Sequence, residues 1–331
     1  MKIEATSATR IDLAGGTLDC WPLYLLLDRP ITVNLGINLF TKASLRARSD
    51  GRVSLRSIDR EKYQEHSCLE SALQDQEPAF ELVRWHLKHW RPKSGFDLEF
   101  GSESPVGAGL GGSSSLCISL LKVFSQWMGE HLEDDAMVRL AANLEAQVLK
   151  KPTGTQDYYP ALRGGVCSIS YLPSGPSCNR LSINTHELGE RLLLVHTGRT
   201  HHSGMNNWEV MKAVLDGAPE PMAALQSIAD VSRRVARALR EHQLADLKDL
   251  LSQETEARLR LSPAVGCPEL TSIREISLAF GAAVKICGAG GGGTVLVWTE
   301  GARKSALRSA LASAGFQAIE AEPWAEGDGP A

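Results

Sequence analysis

The 331-residue sequence predicts a mixed α and β fold in two domains. Length is the first reason, because at roughly 150 residues per domain the chain suits two domains or one large one. Pattern is the second, because short alternating or wholly apolar runs intermingle with helical periodicities. The third is a stretch rich in Pro, Ser and Gly at 173–182. It reads as a linker and divides the chain into residues 1–178 and 179–331.

Taken in order, residues 52–57 and 95–100 alternate like half-buried strands. Residues 113–127 read as a helix, since three serines suit its N-cap and apolar side chains recur at 116, 120, 121 and 124. Residues 134–149 form a second helix, with acids in the first turn where they complement the helix dipole. Residues 166–171 and 191–196 read as buried strands. Helical stretches follow at 206–215 and 223–251, the second broken once. A turn region at 263–268 precedes a helix at 270–280 and strands at 282–287 and 294–298. A helix at 301–314 and a strand near 316–321 lead into a small polar tail, 326–331, expected to be loose.

Composition narrows the function. Hydrophobic residues at 43% and charged residues at 22% exclude a disordered or low-complexity chain. A net charge of −4 supplies no basic field for nucleic acid. Seven scattered cysteines form no CxxC pair and no zinc spacing, and read as reduced thiols. The opening MKIEATSATRIDLAGG lacks a signal peptide's apolar core, and the longest apolar runs are too short to span a bilayer. The expectation is a cytoplasmic, soluble monomer or homodimer with a small-molecule substrate and no membrane partner.

The richest local signal is the stretch at 105–115, with glycines at 107, 109, 111 and 112 leading into the serine-capped helix. Glycine lets backbone amides approach a ligand closely. A helix N-terminus adds unpaired N–H groups and partial positive charge. Together they make a phosphate cradle. Walker A fails, because Ser113 stands where its Lys belongs. GxGxxG matches at 107–112, but also at 288–293 ahead of a strand, so the bare pattern is weak. No HRD or DFG of a protein kinase occurs. Ser113 or Ser114 could ligate Mg²⁺, a hard cation that prefers oxygen.

The segment PVGAGLGGSSS at 105–115 resembles the central phosphate motif of the GHMP small-molecule kinases. ATRIDLAGGTLD at 8–19 is similar to that family's first motif, KICGAGGGGTVLVW at 285–298 to its third, and TGTQDYYPALRGG at 153–165 to the segment with the catalytic aspartate. All four lie in family order. Within the family the sequence looks most like sugar kinases of the heptose-phosphate kinase and galactokinase-like type. Two positions depart from the pattern: Leu18 stands in place of Thr, and Gly112 in place of a first Ser.

The resemblance implies an α+β, two-domain GHMP kinase fold, with an N-terminal ATP-binding domain like ribosomal protein S5, a ferredoxin-like C-terminal domain, and the active site between them. It implies ATP and Mg²⁺ as cofactors and a sugar or sugar phosphate as acceptor, at the anomeric hydroxyl as in the heptose-phosphate kinases. Asp157 and Arg10 are the implied catalytic pair, with Asp157 either a base or an orienting group. Pro105, Gly107, Ala108, Gly109, Leu110, Gly111, Gly112, Ser113 and Ser114 would hold the nucleotide. Ser113 (with Ser114 as fallback) and Glu145 would hold the metal. Asp19, Gly16, His201, Ser203, Gly290 and Gly291 are the implied substrate contacts. Trp208 could cover a sugar face. The alternatives are a mevalonate-type acid kinase, for which Lys2, Lys42 and Arg199 are candidate carboxylate-binding cations, and a non-catalytic regulator with the same fold. A metal site among His196, His201 and His202 is disfavoured, because adjacent histidines rarely face one ion.

Overall fold

A computed structural model describes residues 2–199 and 203–325, with the side chains of 203–206 outside the description. The first half comprises β1 (Lys2–Ala14), β2 (Ile31–Arg48), β3 (Val53–Ser57), β4 (Lys62–His66), α1 (Leu69–Gln74), α2 (Glu81–Trp90), β5 (Gly95–Ser102), α3 (Gly112–Met128), α4 (Asp134–Leu149), α5 (Tyr158–Arg163), β6 (Val166–Leu172) and β7 (Gly175–Leu181). These strands form one sheet in the order β4-β3-β5-β2-β6-β7, with β1 added along β2. Helices α2 and α3 cover the sheet through an apolar core that includes Leu45, Leu55, Phe80, Phe96, Leu98 and Phe124.

The second half comprises α6 (Thr185–Arg191), β8 (Leu192–His196), α7 (Ser203–Leu215), α8 (Pro219–Arg240), α9 (Leu247–Leu259), α10 (Pro268–Ala279), β9 (Ala283–Ile286), β10 (Thr294–Trp298), α11 (Gly301–Ser313) and β11 (Gln317–Ile319). Its four strands pair antiparallel in the order β11-β8-β10-β9, the order of a ferredoxin-like sheet. The two halves share an apolar seam in which Ile11, Val33 and Leu35 of the first sheet join Val235, Leu239 and Leu251 of α8 and α9.

Three expectations are corrected. The 173–182 stretch is not a linker: it holds the turn and edge strand of the β6–β7 hairpin, whose register runs from Val166↔Leu181 to Leu172↔Gly175. Its Pro and Gly sit at a turn and an unpaired edge, where a strand tolerates them. Helix α3 is capped by Gly111, at φ 74°, rather than by a serine; the serines lie inside its first turn. Finally, β1 and β2 carried no strand reading at all. Ser7, Thr9, Arg10 and Asp12 of β1 are buried alongside its apolar residues, so alternation never emerges. Asn34, Gly36 and Asn38 make β2 look like a turn, and the β1–β2 register shifts where Ala8 pairs with Phe40 and Thr9 with Ile37. The loose-tail expectation for 326–331 lies outside the described residues.

Candidate active site

A cleft of about 510 Å³ opens where the 105–114 loop, the start of α5, the turn after β1 and the 288–289 segment meet. Gly107, Gly109 and Gly111 all take the left-handed conformation, at φ 71°, 74° and 74°. No side chain caps the first turn of α3, so its amides stay available to a ligand. The helix is anchored from behind: Ser115 Oγ donates to the Ser7 carbonyl at 3.1 Å, and Thr41 Oγ1 lies 2.9 Å from the hydroxyls of both Ser115 and Ser119. The loop is also tied to the second half, because Thr294 N–H donates to the Ala108 carbonyl at 2.8 Å. Pro105, Gly107, Ala108, Gly109, Leu110, Gly111, Gly112, Ser113 and Ser114 all line the cleft.

Asp157, at the N-terminus of α5, stands directly against this loop. A Cβ placed on Gly111 would lie 3.2 Å from the Asp157 carboxyl carbon. Arg10 locks the arrangement. Its Nε donates to Asp157 Oδ1 at 2.7 Å, its Nη2 lies 2.6 Å from the same oxygen, and its Nη1 donates to the Gly109 carbonyl at 2.8 Å. Burial opposes the Arg10 charge, but the carboxylates of Asp157 and Asp12 outweigh it and raise the pKa above its ordinary value. One guanidinium thus joins the glycine loop to the aspartate 147 residues away in sequence.

Glu145 reaches the cleft from α4. Its Oε2 accepts from Ser114 Oγ at 2.7 Å and from Tyr158 OH at 2.6 Å. Burial raises its pKa, partly offset by these hydrogen bonds. Hydroxyl and carboxylate oxygens form the donor set that suits Mg²⁺. The serine with the stronger hydrogen bond to Glu145 is Ser114, the fallback of the sequence reading. Ser113 lines the same cleft and is exposed. Nothing in the sequence signals Tyr158, beside Asp157, as a partner of Glu145.

On the opposite side, Thr17 and Asp19 line the cleft from the turn after β1. Thr17 Oγ1 donates to Asn207 Oδ1 at 3.1 Å, which adds Asn207, a residue sequence reasoning missed. Asp19 is buried; its Oδ2 accepts from Gln156 N–H at 3.1 Å, and its Oδ1 has no protein partner. Burial, then the charge of Asp157, pushes its pKa up to about 6. Gly154 packs so tightly on Asp19 that a Cβ would fall 1.8 Å from Oδ2.

The remaining substrate readings fare differently. Gly16 does not line the cleft: it is buried behind it, where a Cβ would meet Asp12 and Arg258. Gly288 and Ala289 line the cleft, whereas Gly290 and Gly291 pack on Val265, the Gly291 N–H donating to its carbonyl at 2.8 Å. His201 lies outside the described residues, and Ser203 is placed only as the first residue of α7. His196 Nδ1 accepts from Gly198 N–H at 3.0 Å. Trp208 packs partly buried against the core of the second half rather than lining the cleft.

Two family models match the chain: the GHMP kinases N-terminal domain over residues 77–165 and the GHMP kinases C-terminal domain over 235–317, together more than half its length. The chain is 28% identical over 317 residues to a D-glycero-alpha-D-manno-heptose 7-phosphate kinase of Campylobacter jejuni, covering 93% of each protein. Among solved structures, it is similar to a D-glycero-D-manno-heptose 1-phosphate kinase from Bacteroides thetaiotaomicron (TM-score 0.77, 20% identity, 98% of this chain and 96% of that one). It is also similar to Lactococcus lactis galactokinase complexed with galactose (TM-score 0.78, 16% identity, 98% and 94%). Among the described residues, no helix is long and apolar enough to cross a membrane.

Proposed function

The chain belongs to the GHMP kinases, and from that premise we propose that it transfers the γ-phosphoryl group of ATP to a hydroxyl of a sugar or sugar phosphate. The single observation that carries the acceptor class is Asp19. A buried carboxylate with one oxygen unpartnered, on a residue that lines the cleft together with Asp157, wants hydroxyl donors. An acid substrate would instead want a fixed cation. The three candidates are engaged elsewhere: Lys2 with Glu4, Lys42 with Glu103 and Arg199 with Glu269, each at 2.7 Å. None of them lines the cleft. This favours the sugar over the mevalonate-type reading.

Phosphoryl transfer asks the protein for position and charge neutralisation rather than covalent chemistry. The amides of the 107–112 loop and of the first turn of α3 hold the phosphate chain. Ser114, Ser113 and Glu145 would hold Mg²⁺, which when bound would neutralise phosphate charge. Asp157 orients the attacking hydroxyl and accepts its proton, and Arg10 keeps Asp157 aimed while offsetting charge on the transferred group. Asp19 and Thr17 fix the sugar ring so that one hydroxyl meets the phosphorus in line. The 28%-identical Campylobacter relative makes a heptose phosphate, with transfer to its anomeric hydroxyl, the first acceptor to try.

An acceptor panel tests the reading. ADP release is followed with hexoses, heptoses, their phosphates and mevalonate, and each product is identified by NMR. The expected result is transfer to at least one sugar derivative. Product from mevalonate-like acids alone would overturn it.

A further inference from the structure

Behind the cleft, four ionisable side chains are fully buried: Asp12 on β1, Glu254 and Arg258 on α9, and Lys285 on β9. None of them lines the cleft. Their charges balance. Lys285 Nζ lies 3.0 Å from Asp12 Oδ2 and 3.4 Å from Glu254 Oε1, and donates to the Ile286 carbonyl at 2.8 Å. What sets the group apart is what else it holds. Glu254 Oε1 accepts from Gly15 N–H at 3.0 Å. Arg258 Nη1 donates to the Gly16 carbonyl at 2.9 Å, while its Nη2 donates to the Gly288 carbonyl. One fork therefore grips two loops that come from opposite halves of the molecule.

Both loops lead into the cleft. The first turns tightly, with Leu18 N–H bonded to the Gly15 carbonyl and Cys20 N–H to that of Thr17, and it carries Thr17 and Asp19. The second supplies Gly288 and Ala289. Burying four charges is an expensive way to fill a core, and well-packed apolar residues often serve stability as well or better. A planar five-donor fork does what apolar packing cannot: it fixes two carbonyls at a set separation.

We propose that Arg258, paired with Glu254, which Lys285 links in turn to Asp12, is a positioning residue for acceptor binding, setting the Thr17–Asp19 turn against the 288–289 segment. The proposal deepens the function given above and rests on its placing of the acceptor beside Asp19. Lysine at 258 would keep the charge but reach only one of the two carbonyls. Alanine at position 16 removes no charge. Its backbone is not in the left-handed region, yet its Cβ would lie 2.3 Å from Asp12 Oδ2 and 2.9 Å from Arg258 Nη1, displacing the fork.

The test compares Arg258→Lys and Gly16→Ala with the wild-type protein by amide hydrogen exchange and by steady-state kinetics. The expected result in both variants is faster exchange, by about tenfold or more, confined to peptides covering 13–20 and 286–293, with 110–118 unchanged. Acceptor KM should rise about tenfold while ATP KM stays within about twofold. Wild-type exchange at both loops overturns the proposal, and so does a uniform rise across the chain, which is what a merely structural role would give. Unchanged acceptor KM in a folded variant also overturns it. If the wild-type protein phosphorylates no sugar, the functional reading fails, and the exchange pattern still decides whether Arg258 couples the two loops.

Discussion

The two sides of the cleft are made of different materials. The proposed phosphate side is main chain: three left-handed glycines, a helix end with no side-chain cap and the loop's own carbonyls tied to Arg10 and Thr294. The proposed acceptor side is side chain: Asp19, Thr17 and Asn207, with the buried ion cluster behind them. A site built of backbone is specified by local conformation and tolerates few residue types. A site built of buried carboxylates depends on contacts from distant elements and on protonation. The difference teaches which perturbations should separate nucleotide binding from acceptor binding.

The sharpest break would come at Arg10, which belongs to both sides. Arg10→Ala should lower kcat by about a thousandfold, because it removes both a cation near the transferred group and the partner that aims Asp157. A loss below tenfold in a folded variant would remove Arg10 from the chemistry. Asp19→Asn should act on the acceptor side alone, cutting acceptor kcat/KM by about a hundredfold with ATP KM unchanged. Its stability should move the other way. Asp19 keeps its proton up to about pH 6 when folded, against 3.8 in the reference state. The contribution of Asp19 to stability is therefore greatest below pH 3.8 and is lost as pH rises through 6, a cost of about 3 kcal/mol at neutral pH. The Asn variant should melt higher than wild type at pH 8 and about equally near pH 4. A lower melting temperature at pH 8 would contradict the burial argument. Wild-type acceptor binding should weaken as pH drops through about 6.

Gly111→Ala should act on the other side. Its φ of 74° and the nearby Asp157 carboxyl leave no room for a methyl group without strain. A loss of about tenfold in ATP affinity is expected, with acceptor KM little changed, and calorimetry with an ATP analogue reads it directly. The smallest effect separates two neighbours. Ser114→Ala should raise the Mg²⁺ concentration needed for half-maximal rate by a few-fold more than Ser113→Ala, because Ser114 donates to Glu145 at 2.7 Å and acts on it more strongly than Ser113 does. The reverse order would return the metal-binding role to Ser113.

The same contrast explains what could be read from sequence. That the glycine loop would line the cleft was legible residue by residue, because glycines ahead of a helix announce a backbone requirement. Helix α4 matched its expected bounds at 134–149, and strand β10 at 294–298, for similarly local reasons. The acceptor side was legible only in part. Thr17 and Asn207 meet across 190 residues, and Tyr158 meets Glu145 inside the core. Gly16, Gly290 and Gly291 were singled out as contacts because glycine density looks the same whether it faces a ligand or, as here, gives way to Asp12, Arg258 and Val265. Strand β1 escaped notice because its polar residues are buried for use in the site and at the junction, which erases the alternation that marks an ordinary strand.

The most direct measurement pairs turnover with nucleotide binding in Asp157→Asn. The variant keeps the shape of the side chain beside Gly111 while removing its charge. Phosphoryl transfer should fall by about a thousandfold or more, with affinity for Mg·ATP within about threefold of wild type. Turnover near the wild-type rate, or loss of nucleotide binding in step with turnover, would show that the carboxylate beside the glycine loop does not prepare the acceptor hydroxyl.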